Sequence, residues 1–205
     1  MKNFKNLLIF LLFSLIISNA KSQKRDCGEW FSSYDTITLN GNYLKYHMRG
    51  KVAQMEYGNK YFHRYLPDEY SCDIADARVP KFIWESNDFV CLKYGCGSPC
   101  WGVKILPLNI NDSVRNIMYD LASDPINNII VYLGEPDYNN LIIENLKFKT
   151  KQRVELSQKC DETFLGYCID SISVNKKELF YRFAVTNTFD DNKKLTEYRI
   201  NLKLH

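Results

Sequence analysis

Cysteines, histidines and two rows of basic residues are the side chains whose types and spacing could do chemistry in this 205-residue chain. The cysteines stand at 27, 72, 91, 96, 100, 160 and 168. Thiols can pair, ligate a metal or act as nucleophiles, and their spacing helps to separate these uses. Cys96 and Cys100 flank Gly97-Ser98-Pro99, and Cys160 and Cys168 flank a seven-residue loop, so each pair can staple the turn that holds it. Cys27 and Cys72 then form the long-range pair, tying the N-terminal segment to the loop before Pro80. Cys91, within Phe89-Val90-Cys91-Leu92, reads as a buried thiol in mid-strand. An odd count leaves at least one cysteine unpaired within the chain. Structural zinc asks for two Cys-x-x-Cys pairs or for Cys and His at matched spacings. The close pairs here have three and seven residues between their cysteines, and the histidines are His47, His63 and His205, so neither a metal nor a cofactor is expected. Redox exchange usually has two residues between its cysteines and a helix start that lowers the thiol pKa, and neither is evident.

Recognition chemistry has clearer candidates. Tyr94-Gly95-Cys96-Gly97-Ser98-Pro99-Cys100-Trp101-Gly102 lies between two expected strands, and a stapled loop can present Trp101 as a rigid contact at little entropic cost. The alternative is a stapled turn whose Trp packs on its own sheet. Lys45, His47, Arg49 and Lys51 alternate along one segment, and Lys147, Lys149, Lys151 and Arg153 along another, so each set shares a face if the chain is extended. Lys45, Arg49, Lys147 and Lys149 are the candidate binding cations, suited to a sulfated or phosphorylated polymer or to an acidic protein surface. Charged rows also keep sheet faces soluble and protect edges.

Enzyme signatures are mostly missing. There is no Gly-x-Ser-x-Gly elbow, no His-Glu-x-x-His and no phosphate loop ending in Lys-Ser/Thr. Candidate carboxylates for acid–base work include Asp68, Glu69, Asp73, Asp76, Glu85, Asp88, Asp120, Asp124, Glu135 and Asp137, most of them in turns where Asp bonds the local backbone. Nothing in the sequence places His47 and His63 together. Asn111-Asp112-Ser113 matches the N-glycosylation acceptor pattern.

The N-terminus has the three parts of a secretory signal: Lys2 and Lys5, an apolar run from Leu7 to Ile17, and Ser18-Asn19-Ala20. That run is well short of the roughly 20 residues that cross a bilayer, so cleavage after Ala20 is expected, leaving no transmembrane segment. Residues 21–205 would then form a single β-rich domain, secreted or periplasmic, in an environment that favours disulfides. The formal charge of +3 includes Lys2 and Lys5, so the mature chain is nearly neutral. Nucleic acid is a poor partner for it.

Those side chains must be positioned by strands. Short apolar runs rich in Tyr and Phe are interrupted by Asn, Asp and Gly. Tyr198, Ile200, Leu202 and Leu204 alternate with Glu197, Arg199, Asn201 and Lys203, as a half-buried strand requires. Leu146 to Leu156 alternates too, whereas Leu179 to Val185 is apolar on both faces apart from Arg182 and reads as central. First strands centred on Thr38, Trp84, Val131 and Ser173, each followed by a longer apolar strand and then generally a third, recur every 42 to 47 residues. That rhythm predicts an all-β fold of antiparallel meander units resembling propeller blades, in a small or incomplete propeller; the alternative is a two-sheet β-sandwich. The stretch from Ile117 to Pro125, running into Asn127 to Val131, reads as one unit's outer strand, its loop and the next unit's inner strand, although Val114, Ile117, Met118 and Leu121 also fit helical spacing behind Asn111-Asp112-Ser113.

Together these features favour an exported, non-enzymatic β scaffold that binds a macromolecule or glycan through its loops or a sheet face. Alternatives are an exported hydrolase whose carboxylates meet only in the fold, and a secreted enzyme inhibitor presenting the Cys96–Cys100 loop.

Overall fold

A computed structural model describes residues 26–156, 164–184 and 194–204. The signal-peptide reading, Cys160 and Val185 lie outside the described residues. The fold is all-β and consists of four antiparallel meanders in chain order. The first sheet contains β1 (Thr36–Ile37), β2 (Tyr43–Arg49), β3 (Val52–Gly58) and β4 (His63–Ser71); the second contains β5 (Lys81–Glu85), β6 (Phe89–Gly97), β7 (Cys100–Pro107) and β8 (Arg115–Met118). The third contains β9 (Asp120–Asp124), β10 (Ile129–Leu133), β11 (Asn140–Asn145) and β12 (Thr150–Glu155), and the fourth β13 (Ile169–Val174), β14 (Glu178–Ala184) and β15 (Leu195–Asn201). Each strand pairs with its neighbour in sequence, the blade-like pattern expected from the repeat.

Burial explains why the strands differ in composition. Leu44, Met55 and Leu66 of the first sheet pack on Val90, Leu92 and Leu106 of the second. On the second sheet's other side, Cys91, Val103 and Ile105 meet Ile130 and Leu146 of the third unit. Val131 and Ile143 of the third then meet Leu179, Tyr181 and Phe183 of the fourth. The inner two sheets are therefore covered on both faces, and β7 and β10 are nearly continuous apolar runs. Among the described residues, no such cluster joins the fourth sheet back to the first, so the series is open. The first sheet consequently has one buried face and one solvent face, and β2 and β3 alternate accordingly.

The sequence reading needs correction in three places. Val131 lies on β10, the second strand of its unit, because that unit starts at β9. Ile117 to Pro125 is not a helix, and the outer strand expected there, β8, ends at Met118; Tyr119 adopts a positive φ of 55°, and the next sheet begins at β9 where a loop was expected. The strand expected over Leu146 to Leu156 begins only at Thr150, after a turn at 146–149 in which Lys149 has φ 58°. A helix, α1 (Cys27–Ser32), precedes the sheets, and its N-cap Asp26 accepts a hydrogen bond from the Glu29 backbone at 3.0 Å.

Candidate functional site

Glu144 on β11 is 1% exposed, and a carboxylate so deeply buried must be matched. Arg115 on β8 forks onto it, Nη1 to Oε1 at 2.7 Å and Nη2 to Oε2 at 2.9 Å. The Tyr132 hydroxyl on β10 donates to Oε2 at 2.9 Å, and Lys151 Nζ on β12 lies 3.6 Å away. Burial pushes the Glu144 carboxyl upward, but Arg115, Tyr132 and Lys151 outweigh it and hold it below its ordinary value. Glu144 is therefore an anion that locks the edge of the second sheet onto the third, and is unsuited to donate a proton.

Above this anchor the second and third units leave a cleft of about 760 Å³, with Phe89, Ile105 and Leu146 among its apolar lining residues. Its polar wall is built of pairs. Lys147 Nζ lies 3.1 and 3.0 Å from the two carboxylate oxygens of Asp88, and Lys149 Nζ lies 3.1 Å from Asp112. Asp88 also accepts from Asn128 Nδ2 at 2.9 Å, while Arg64 of β4 holds the Asp112 carbonyl at 2.7 Å. Asn87, Asn109, Asn111 and Ser113 complete the polar lining.

A second depression of about 490 Å³ adjoins the first and shares Asn87, Asp88 and Lys147 with it, so the Lys147–Asp88 pair forms a saddle in one longer groove. Residues from the first turn of every unit line this depression: Asn40, Ser86, Ile126 and Lys176. Such convergence follows from the in-order meanders. Ile126 and Phe148 stand 91% and 65% exposed there, an apolar surface with little cover.

Of the other basic row, Lys45, His47 and Arg49 lie on the open face of the first sheet, whereas Lys51 falls in the turn after β2, where Gly50 has φ 66°. Lys45 is opposite Glu56, which in turn is opposite Tyr65. Glu56 accepts from the Tyr43 hydroxyl at 2.6 Å, its other oxygen lies 2.6 Å from His47 Nε2, and Tyr65 adds a further hydrogen bond. Burial works upward on Glu56, but Tyr43, His47 and Tyr65 hold its carboxyl below the usual value; burial and then Glu56 push the Tyr43 hydroxyl up to about 12. Lys45 instead sits over the Tyr43 ring at 5.3 Å, and Arg49 over the Tyr65 ring at 6.0 Å. His47 and His63, unconnected in the sequence reading, both flank Tyr65, at ring separations of 5.7 and 6.4 Å.

Trp101 takes the packed arrangement. Its indole N–H donates to the Asp120 carbonyl at 2.9 Å, and its ring meets Tyr119 and Phe164 edge-on at 5.2 and 5.6 Å. Cys27–Cys72 and Cys96–Cys100 are disulfides with Cα separations of 5.5 and 5.0 Å, and Cys91 is a buried thiol. Burial raises the Cys91 thiol far above its ordinary value. Cys168 is disulfide-bonded, while Cys160, its expected partner, falls outside the described residues. The two disulfides fit an extracellular or periplasmic protein. Among the described residues, no helix is long and apolar enough to cross a membrane, and no group of three or more His, Cys, Asp or Glu could hold a metal ion.

Arg115, Asp112 and Glu144 were missed as site residues by sequence reasoning. Only Asn111-Asp112-Ser113, read as a glycosylation acceptor and as the start of an alternative helix, marked that loop, and nothing local marks Glu144 as buried. No family model, curated protein or solved structure matches the chain.

Proposed function

We propose that the protein is an exported, non-enzymatic scaffold that binds a glycan chain in the groove between its second and third units. On this reading residues 1–20 are a leader removed after Ala20, and residues 21–205 act as one binding domain in the periplasm or outside the cell. The observation that carries it is the groove: apolar residues flanked by fixed, charge-balanced donor and acceptor pairs. A pyranose has C–H faces and a rim of hydroxyls, so it needs apolar surface and bidentate polar partners together. Phe89 and Phe148 supply the first, while Lys147–Asp88 and Lys149–Asp112 supply the second. Pairing also lowers the groove's attraction for a strongly anionic ligand, which favours a neutral chain.

Four carboxylates, Glu85, Asp88, Asp112 and Glu144, line the groove, which keeps a glycan hydrolase as the second reading. Against it, Glu144 is held as an anion, Asp88 and Asp112 each engage a lysine, and Glu85 accepts from the Asn40 backbone and the Asn42 side-chain amide. The test is titration calorimetry of the mature protein with a panel of neutral oligosaccharides, alongside a reducing-end assay. The expected result is saturable binding that Lys147→Ala with Lys149→Ala weakens at least tenfold, with thermal unfolding little changed and no new reducing ends. Time-dependent cleavage lost on Asp88→Asn would replace the scaffold reading with the hydrolase.

A further inference from the structure

The two basic rows look alike in sequence but differ in what occupies their cations. Lys147 and Lys149 are each neutralised by an aspartate. Among the described residues, neither Lys45 nor Arg49 has a carboxylate within ion-pair reach, although both are exposed on a regular strand. The nearest cross-strand carboxylate, Glu56, engages the Tyr43 hydroxyl and His47 rather than either cation. Both cations instead lie over tyrosine rings, and Lys60 does the same over the exposed ring of Tyr61 at 4.8 Å. Cations held this way keep their charge available, because an aromatic face attracts without neutralising.

We infer that the open face of the first sheet is a second binding surface, and that its ligand is a sulfated polysaccharide. Charge complementarity gives the anion: Lys45 and Arg49, roughly 13 Å apart at strand rise, offer an ammonium and a planar guanidinium to successive sulfate esters. The exposed ring of Tyr65 on this face, with that of Tyr61 in the turn joining β3 to β4, gives the sugar, since pyranose C–H faces stack on aromatics while a peptide polyanion such as polyglutamate offers no such face. The carboxylates on this face are Glu56, which engages Tyr43 and His47, and Glu69, across from Gln54 on β4. This inference does not depend on the groove, which lies elsewhere.

The experiment measures binding of the mature protein to immobilised dextran sulfate, with dextran and polyglutamate as comparators. The expected result is binding to dextran sulfate alone, weakened several-fold by 0.5 M salt and about tenfold by Lys45→Ala with Arg49→Ala. Tyr65→Ala, which removes no cation, should weaken it several-fold. Lys194→Ala with Lys203→Ala, an equal charge loss on the fourth unit, should leave it unchanged. Circular dichroism confirms that each variant is folded. Absence of dextran sulfate binding, equal binding of polyglutamate, equal loss in the fourth-unit variant, or full binding by Lys45→Ala with Arg49→Ala would each overturn the inference.

Discussion

A buried carboxylate determines its surroundings more strongly than an exposed one, and Glu144 shows how. Its folded-state pKa lies below that of an unfolded chain, so its contribution to stability is present above the ordinary glutamate value, about 4.3, and is lost as the pH falls through the folded value. Arg115→Gln would leave the buried anion with Tyr132 and the more distant Lys151. We expect a loss of about 2 to 3 kcal/mol at pH 7, allowing for the partial exposure of Arg115. Without the guanidinium the variant's Glu144 takes up a proton more readily as the pH falls, so that penalty should be smaller at pH 3 than at pH 7. Urea unfolding of wild type and variant at the two pH values checks this, and an undiminished penalty at pH 3 would assign the effect to packing. None of this was legible locally, because Ile142-Ile143-Glu144-Asn145 resembles many strand ends and the matching arginine is 29 residues away. Cys91 was legible, since an apolar run on both sides of a cysteine leaves its thiol little but the core.

Elements were read best where local chemistry and tertiary burial agree. β2, β6, β7, β14 and β15 follow their apolar patterns, and Arg182 did not prevent β14 from being the central strand of its sheet. β3 was passed over although Ala53, Met55 and Tyr57 alternate with Gln54 and Glu56, because an alanine and a methionine weaken the contrast. α1 also carried a signal that went unread, Asp26 three residues ahead of Glu29. The turn at 146–149 was hidden for a different reason: its lysines and apolar residues alternate as a strand's would, and only the backbone dihedral of Lys149 reveals the bend. This turn is what lifts Lys147 and Lys149 into the groove. The disulfide at Cys27–Cys72 fastens α1 to the end of β4 across 45 residues of chain, whereas Cys96–Cys100 closes a separation of four. Loop-closure entropy therefore gives Cys27→Ser with Cys72→Ser a cost of about 4 kcal/mol and Cys96→Ser with Cys100→Ser about 2 kcal/mol. Denaturant melts of the two double variants should rank in that order; the reverse would mean that the short staple organises more than its own turn.

For the whole molecule, the open series of four meanders is what creates both proposed surfaces. Stacking covers the inner sheets, so function is left to the turns, the edges between units and the outward face of the first sheet. The repeat was visible in sequence because each unit must bury strands of similar length. Its third anchor was misplaced by one strand because Asp120 to Asp124 is only half buried and lacks a dense apolar run. The groove itself was invisible, since it joins turns from separate units and its polar pairs cross from the second unit to the third. Amide chemical-shift mapping by NMR during titration with a neutral oligosaccharide panel tests the glycan-binding groove most directly. Saturable shifts concentrated at residues 86–88, 109–113, 126–128 and 146–149 are the expected result. An absence of saturable shifts across the panel, or shifts confined to surfaces away from the groove, would contradict it.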